Sequence, residues 1–291
     1  KRNLLFLISC FTFLPFNSQN SFSSLAPMTL LINGRIETQL PAVQRAMDYG
    51  DGIFETMRYE NSLIALWPYH LSRLMRGAEQ LGIDQAKTQI EEEMQLMIGQ
   101  LQAQSQSEGI IKLRLIRGGD QRGYAPQKNV QNWRIFEWYD NLPDWGRSER
   151  ALVCDLRLAL QPQLAGIKHL NRLEQVMAAR EVAESGLSSG IMLDRRDMLR
   201  CGVDSNLFVE LDGLIFTPSI QQSGVLGVFR SYAIDMLKQM GVSVMEQDMD
   251  LSILAECSGV WLTNAVKGIR AVDSVLGVGQ WSYSESSVLS E

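Results

Sequence analysis

Three dipeptides constrain this chain more than anything else in it. Asn33-Gly34, Asn61-Ser62 and Asp212-Gly213 each separate two short apolar-alternating runs. Two-residue connections of this chemistry accept the positive φ of tight hairpin turns. "TLLING" therefore reads as a strand entering such a turn, "GIFETMRYENSLIALW" (52–67) as two strands, and "NLFVEL" with "LIFTP" as two more. Between them lie runs with helical period. "PYHLSRLMRGAEQLG" opens on Pro68, repeats Leu71, Leu74, Ala78 and Leu81, and stops at Gly82. Residues 87–104 read as a second amphipathic helix.

The remaining runs follow the same logic. "GIIKLRLIRGG" (109–119) and "NWRIFEWYD" (132–140) read as strands, and "NLPDWGRSER" as a polar linker. The second half opens with the strand "ALVCDLRLA". Its first helix has apolar positions at Leu170, Leu173, Val176, Met177 and Ala183. "GIMLD" and "SGVWLTNA" (258–265) are strands, and a helix occupies roughly 225–240. Strands and helices in both halves give an α/β or α+β class in two domains, 28–145 and 146–291. Residues 1–27 stand apart: a basic start, an apolar run and a Ser/Asn-rich stretch. They read either as an extension upstream of a start at Met28 or as a signal-like segment.

Composition excludes some functions. The 291 residues carry a net charge of −6, with no basic run or basic-aromatic stripe. That disfavours a nucleic-acid partner. The apolar run is too short to span a membrane, and the expected location is cytoplasmic. Four scattered cysteines make no disulfide framework, and two histidines argue against a histidine-based metal site. No metal is expected.

The chemistry then falls to an amine. Lys168, in "AGIKHLNRLEQV" (165–176), stands between a Gly-Ile pair and a patterned helix. Lysine forms Schiff bases with aldehydes, and pyridoxal phosphate is the commonest enzymatic aldehyde of that kind. A phosphate cofactor also needs an anion cradle. Gly224 and Gly227 precede a helix in "SGVLGVFRSYAIDML", and a glycine turn opening a helix offers backbone N–H groups to an anion. His70 and Arg73 lie three apart on one helix face, and the planar arginine fork suits phosphate.

In this order the motifs "YGDGIFETMR" (49–58), "HLSRL" (70–74), "IKHLNRLEQV" (167–176), "SNLF" (205–208), "GVLGVFR" (224–230) and "LTNA" (262–265) resemble the fold-type IV pyridoxal phosphate enzymes. That group holds branched-chain and D-amino-acid aminotransferases and 4-amino-4-deoxychorismate lyase. "AGIKHLNRLEQV" and "RGYAP" (122–126) resemble the lyase branch most closely. The resemblance implies a smaller N-terminal α/β domain, a larger C-terminal domain with a pseudo-barrel sheet, a homodimer and a small-molecule substrate, aminodeoxychorismate. It implies that Lys168 carries the cofactor and moves protons, and that Arg73 meets its phosphate. Backbone N–H groups at Val228, Phe229 and Asn264-Ala265 meet the same phosphate. Asn171 and Arg172 adjoin the phenolic side of the cofactor ring. Arg58, Lys112, Arg122 and Tyr124 line the substrate side, though Arg58 also reads as half of a structural ion pair.

One position departs from the pattern. The resemblance calls for a glutamate five residues before Asn206, bonded to the protonated ring nitrogen; here it is Cys201, while Asp204 points elsewhere. A thiol is a poor partner for a pyridinium. A weakened electron sink hurts transamination more than a lyase whose product ring becomes aromatic. The expected activity is release of 4-aminobenzoate and pyruvate for folate synthesis. An aminotransferase, or a relative with impaired catalysis, is the alternative.

Overall fold

The computed structural model describes residues 30–119, 122–146 and 148–283. The segment 1–27 and its alternative readings lie outside these residues. The described chain forms two compact units. The first comprises 30–143 with Lys168–Asn171, and the second Asp144–Ile167 with 172–283. A boundary at 145/146 leaves 168–171 in the second half of the sequence. In the structure these four residues belong to the first unit.

The first unit is built on a six-stranded antiparallel sheet. Its strands are β1 (Leu30–Ile32), β2 (Arg35–Ile36), β3 (Gly52–Glu60), β4 (Leu63–Ile64), β5 (Glu108–Ile116) and β6 (Trp133–Tyr139), in the order β2-β1-β6-β5-β3-β4. Both hairpin dipeptides adopt the left-handed backbone expected of them: φ is 48° at Asn33 and 77° at Gly34, 51° at Asn61 and 65° at Ser62. Three helices accompany the sheet: α1 (Gln44–Tyr49), α2 (Trp67–Leu81) and α3 (Lys87–Ala103). α2 ends at Gly82 in the left-handed conformation and packs Leu71, Leu74 and Ala78 inward. β3 alternates strictly. Ile53, Glu55, Met57 and Tyr59 are buried on one face; Phe54, Thr56 and Arg58 occupy the other.

The second unit holds a nine-stranded mixed sheet. Its strands are β7 (Glu149–Leu158), β8 (Ser189–Asp194), β9 (Leu199–Gly202), β10 (Asn206–Leu211), β11 (Leu214–Pro218), β12 (Val244–Gln247), β13 (Gly259–Asn264), β14 (Gly268–Val275) and β15 (Gly279–Gln280). The order is β12-β11-β10-β13-β14-β7-β8-β9, with β15 on β14. Its helices are α4 (Leu173–Ser185), α5 (Val228–Gln239) and the short α6 (Ile253–Glu256). Asp212 and Gly213 make the third tight turn, with φ of 52° and 74°.

The apolar positions of α4 do not form its inner face. Leu173 is 76% exposed, Val176 61% and Met177 49%, and Leu170 precedes the helix. The residue α4 buries is Ala178, with Val182 half-buried beside it. Small side chains let the helix lie close on β7 and β8.

Candidate active site

Lys168 is placed first by backbone. The Phe54 N–H donates to the Lys168 carbonyl at 3.0 Å, and the Leu170 N–H donates to the Gly52 carbonyl at 2.9 Å. Ile53 and His169 form an antiparallel bridge between them. The four residues thus extend the sheet at the start of β3. Two glycines make the approach possible. A Cβ at Gly50 (φ 60°) would lie 2.7 Å from Asn171 Oδ1, and one at Gly52 would lie 2.7 Å from the Leu115 carbonyl oxygen. Asn171 Nδ2 donates to the Gly50 carbonyl at 3.1 Å.

The amine itself lies over an aromatic ring. Lys168 Nζ is 4.4 Å from the Phe54 ring centroid, and Lys112 Nζ is 5.4 Å from the same centroid. Partial burial lowers the Lys112 pKa, Arg114 adds to that, and Glu137 opposes it. Arg114, which the sequence reading passed over, pairs with Glu137 on the same sheet face. Its signal was the alternation Lys112-Leu113-Arg114 within one strand.

Arg73 is fixed by a carboxylate that sequence reasoning also missed. Arg73 Nε donates to Glu55 Oε1 at 2.8 Å and Nη2 to Oε2 at 2.5 Å. His70 Nδ1 is 2.6 Å from Oε2. Glu55 is 1% exposed. Burial alone would raise its pKa, but the Arg73 and His70 charges and hydrogen bonds outweigh that and bring it down to about 2. Burial holds the His70 pKa below its ordinary value, against the pull of Glu55. Facing an ionised carboxylate, His70 acts as the donor through Nδ1–H. The available signal was a glutamate on an otherwise apolar strand face, which demands a cation nearby.

The substrate-side residues separate in the first unit. Arg58 Nη1 donates to the Pro143 carbonyl at 3.1 Å and Nη2 to Glu60 at 2.6 Å, so its fork serves as a structural tie. Arg122 is exposed, and Tyr124 is 87% exposed with its ring 5.3 Å from that of Tyr49. Arg45, 4% exposed, holds this loop by donating to the carbonyls of Gly123 and Tyr124. A groove of about 980 Å³ along α2, lined by Trp67, Leu71, Met75, Arg76, Ile83 and Glu91 among others, includes none of these residues.

In the second unit, α5 opens at Gly227 with no side-chain cap. The first-turn N–H groups of Val228 and Phe229 have no acceptor within the helix. A Cβ at Gly227 would lie 1.8 Å from Asn206 Oδ1, so glycine is obligatory there. Asn264 Oδ1 accepts from the N–H groups of Val266 and Lys267 at 3.0 and 2.7 Å, folding the turn that begins at Ala265. Asp204 is occupied by Lys267 at 2.8 Å and Arg270 at 3.3 Å. Arg172 donates to the Ile167 carbonyl at 3.3 Å. Cys201 packs with Cys154, Leu158, Ala178 and Met192. Burial pushes its thiol up to about 12, against the nearby Arg172 charge, so it carries no negative charge.

Residues 52–275 match the family described as "Amino-transferase class IV". The chain belongs to the class IV aminotransferase family. It is 30% identical over 250 residues to an aminodeoxychorismate lyase of Vibrio harveyi, covering 84% of this chain and 90% of that one. It is 24% identical over 262 residues to a D-alanine aminotransferase of Bacillus licheniformis, covering 86% and 89%. The crystal structure of 4-amino-4-deoxychorismate lyase from Pseudomonas aeruginosa matches with a TM-score of 0.81 and 33% identity, over 88% of this chain and 94% of that one. The nine-stranded sheet is the curled half-barrel of the fold-type IV enzymes.

Enzymes of this family use pyridoxal 5'-phosphate. The residues present suit it: an amine, a guanidinium held rigid by a carboxylate, and an uncapped helix start. A further sign is a set of buried hydroxyls. Ser205, Ser223 and Thr263 are buried with no hydrogen-bond partner on Oγ or Oγ1 among the described residues, and each lies in or beside one of the motifs "SNLF", "GVLGVFR" and "LTNA". Buried hydroxyls without partners are costly unless a ligand supplies one.

Proposed function

We propose that this protein is a 4-amino-4-deoxychorismate lyase, releasing 4-aminobenzoate and pyruvate. The observation that carries the reading is a second amine, Lys112 Nζ, beside the Phe54 ring over which Lys168 Nζ lies. With Lys168 committed to the cofactor, Lys112 remains a cation beside an aromatic ring, which suits a flat, ring-shaped, carboxylated substrate better than a small amino acid. The 30% and 33% identity to the Vibrio and Pseudomonas lyases, against 24% to the Bacillus licheniformis D-alanine aminotransferase, supports it.

Lys168 would attach the cofactor, and Arg73, the N–H groups of Val228 and Phe229 and the turn at Asn264-Ala265 would hold its phosphate. Once bound, the cofactor would supply an electron sink for the C–H bond beside the substrate amine. Lys168 Nζ, released when the substrate amine takes its place, would take that proton. The bond between ring carbon and ether oxygen then breaks, enolpyruvate leaves and ketonises to pyruvate, and the six-membered ring becomes aromatic. Lys112 orients a substrate carboxylate on the polar sheet face, with Arg122 and Tyr124 contributing from their loop. Arg58 supports this face through its tie to Glu60 and Pro143. The working form is a homodimer.

The test is pyruvate release from aminodeoxychorismate, read through lactate dehydrogenase. Wild-type protein is expected to turn over and to absorb visible light; Lys168→Ala is expected to do neither. Amino transfer to a keto acid without pyruvate release would instead favour the second reading, an aminotransferase on D- or branched-chain amino acids, which the Bacillus relative supports.

A further inference from the structure

We propose that Glu55, braced by His70, is a positioning residue for Arg73, and that it sets how strongly the protein prefers a phosphorylated cofactor over its dephosphorylated form. This rests on the reading of Arg73 as the phosphate arginine.

The geometry is a three-donor clamp on one carboxylate. Arg73 engages both oxygens of Glu55, and His70 Nδ1 engages Oε2. Two bonds to a planar fork fix its plane as well as its position. Glu55 is itself immobile, since its backbone is paired with Leu113 in the centre of the β3/β5 ladder. His70 and Arg73 are three apart on α2, so one carboxylate reaches both. His70 is fully buried, and its Nε2 has no hydrogen-bond partner among the described residues. The charged groups acting on His70 are Glu55 on β3, Arg73 on α2 and Lys168.

Two effects of Glu55 on phosphate binding have opposite signs. Its negative charge repels a phosphate, so removing it would tighten binding if charge balance dominated. Its clamp orients the guanidinium, so removing it would weaken binding if orientation dominated. Orientation is expected to win. Arg73 is 8% exposed, and a buried guanidinium released from its carboxylate turns to whatever acceptor is nearest.

The experiment titrates apo protein with pyridoxal 5'-phosphate and, separately, with pyridoxal, following tryptophan fluorescence. The ratio of the two dissociation constants reports the phosphate grip alone. A merely structural role would weaken both ligands alike and leave the ratio unchanged. Glu55→Gln is expected to lower the ratio by about tenfold or more. His70→Leu is expected to lower it several-fold, whereas His70→Asn, whose amide can replace the Nδ1–H donor, keeps most of it. An unchanged ratio in folded Glu55→Gln, or tighter phosphate binding, overturns the proposal. Should that variant not fold, an unchanged ratio in His70→Leu does so. Arg73→Met separates the two readings. If it loses the preference while Glu55→Gln and His70→Leu keep it, only the positioning role fails. If Arg73→Met keeps the preference, the phosphate reading fails with it.

Discussion

Two buried positions in this protein have been treated in opposite ways. In the first unit, Glu55 gathers Arg73 and His70 into a dry node in which the carboxylate is fully partnered. In the second unit, Cys201 stands where the resemblance calls for a carboxylate, and it is packed among Cys154, Leu158, Ala178 and Met192. One place holds a buried charge that needs two partners. The other holds a thiol that needs none. The side proposed to bind the phosphate thus carries a buried ion pair, while the position proposed to face the cofactor ring nitrogen is uncharged.

The sharpest way to break this contrast is to remove one partner of the node. Arg73→Met leaves Glu55 buried with His70 alone and should destabilise the fold by about 3–5 kcal/mol. The double variant with Glu55→Gln should lose less than the sum of the singles. Urea unfolding of the four proteins tests this; additive losses would mean that the node is not a unit.

Acid acts on the same node somewhat less strongly. The folded pKa of Glu55 is lowered, so its contribution is fully present above the unfolded value near 4.5 and is lost as pH falls towards about 2. The loss is on the order of 3 kcal/mol. The His70 pKa is also lowered, so its neutral form begins to cost stability as pH falls below the unfolded value near 6.5. Unfolding midpoints taken from pH 7 to pH 3 should fall in wild type and be flatter in Glu55→Gln below pH 5.

Cys201→Glu tests the other position. A carboxylate placed in that apolar cluster should cost the apo protein about 2 kcal/mol. Cofactor should restore part of this, and pyruvate release should rise if the ring nitrogen gains its partner. Thermal melts with and without cofactor, paired with the lyase assay, read both. A lasting loss of stability with no gain in rate would mean that residue 201 does not face the cofactor. The smallest effect is expected at Arg58. Arg58→Met should lower stability by about 1 kcal/mol through lost bonds to Glu60 and Pro143, and change KM little.

The hairpins were readable because turn chemistry is local: Asn33-Gly34, Asn61-Ser62 and Asp212-Gly213 each adopt the expected positive φ. α2 was readable from Pro68 to Gly82 for the same reason. β9, β12 and β14 passed unread: β12 pairs with β11 only across the intervening α5, while β9 and β14 pair with their sequence neighbours β8 and β13 through connections that carry no Asn-Gly or Asp-Gly dipeptide. In α4 apolar spacing misled, because the helix packs through Ala178 and leaves Leu173, Val176 and Met177 outside. Among the residues proposed for the site, Lys168 and Arg73 stood out by residue type and motif. Glu55 was not, because its meaning depends on a helix that begins a dozen residues later.

The strand-like attachment of Lys168–Asn171 to β3 has a consequence for how this protein can vary. Main-chain bonds from Phe54 and Leu170 hold the segment without using the side chain at 169, while the Leu170 side chain also packs against the cluster of Ile32, Val43 and Ile116. Drift at residue 169 would leave those main-chain bonds in place, so that part of the amine's surroundings is open to retuning. Gly50 and Gly52 have no such freedom: a methyl at Gly52 would meet the Leu115 carbonyl and the Leu170 side chain, and one at Gly50, where φ is positive, would meet the Asn171 side chain.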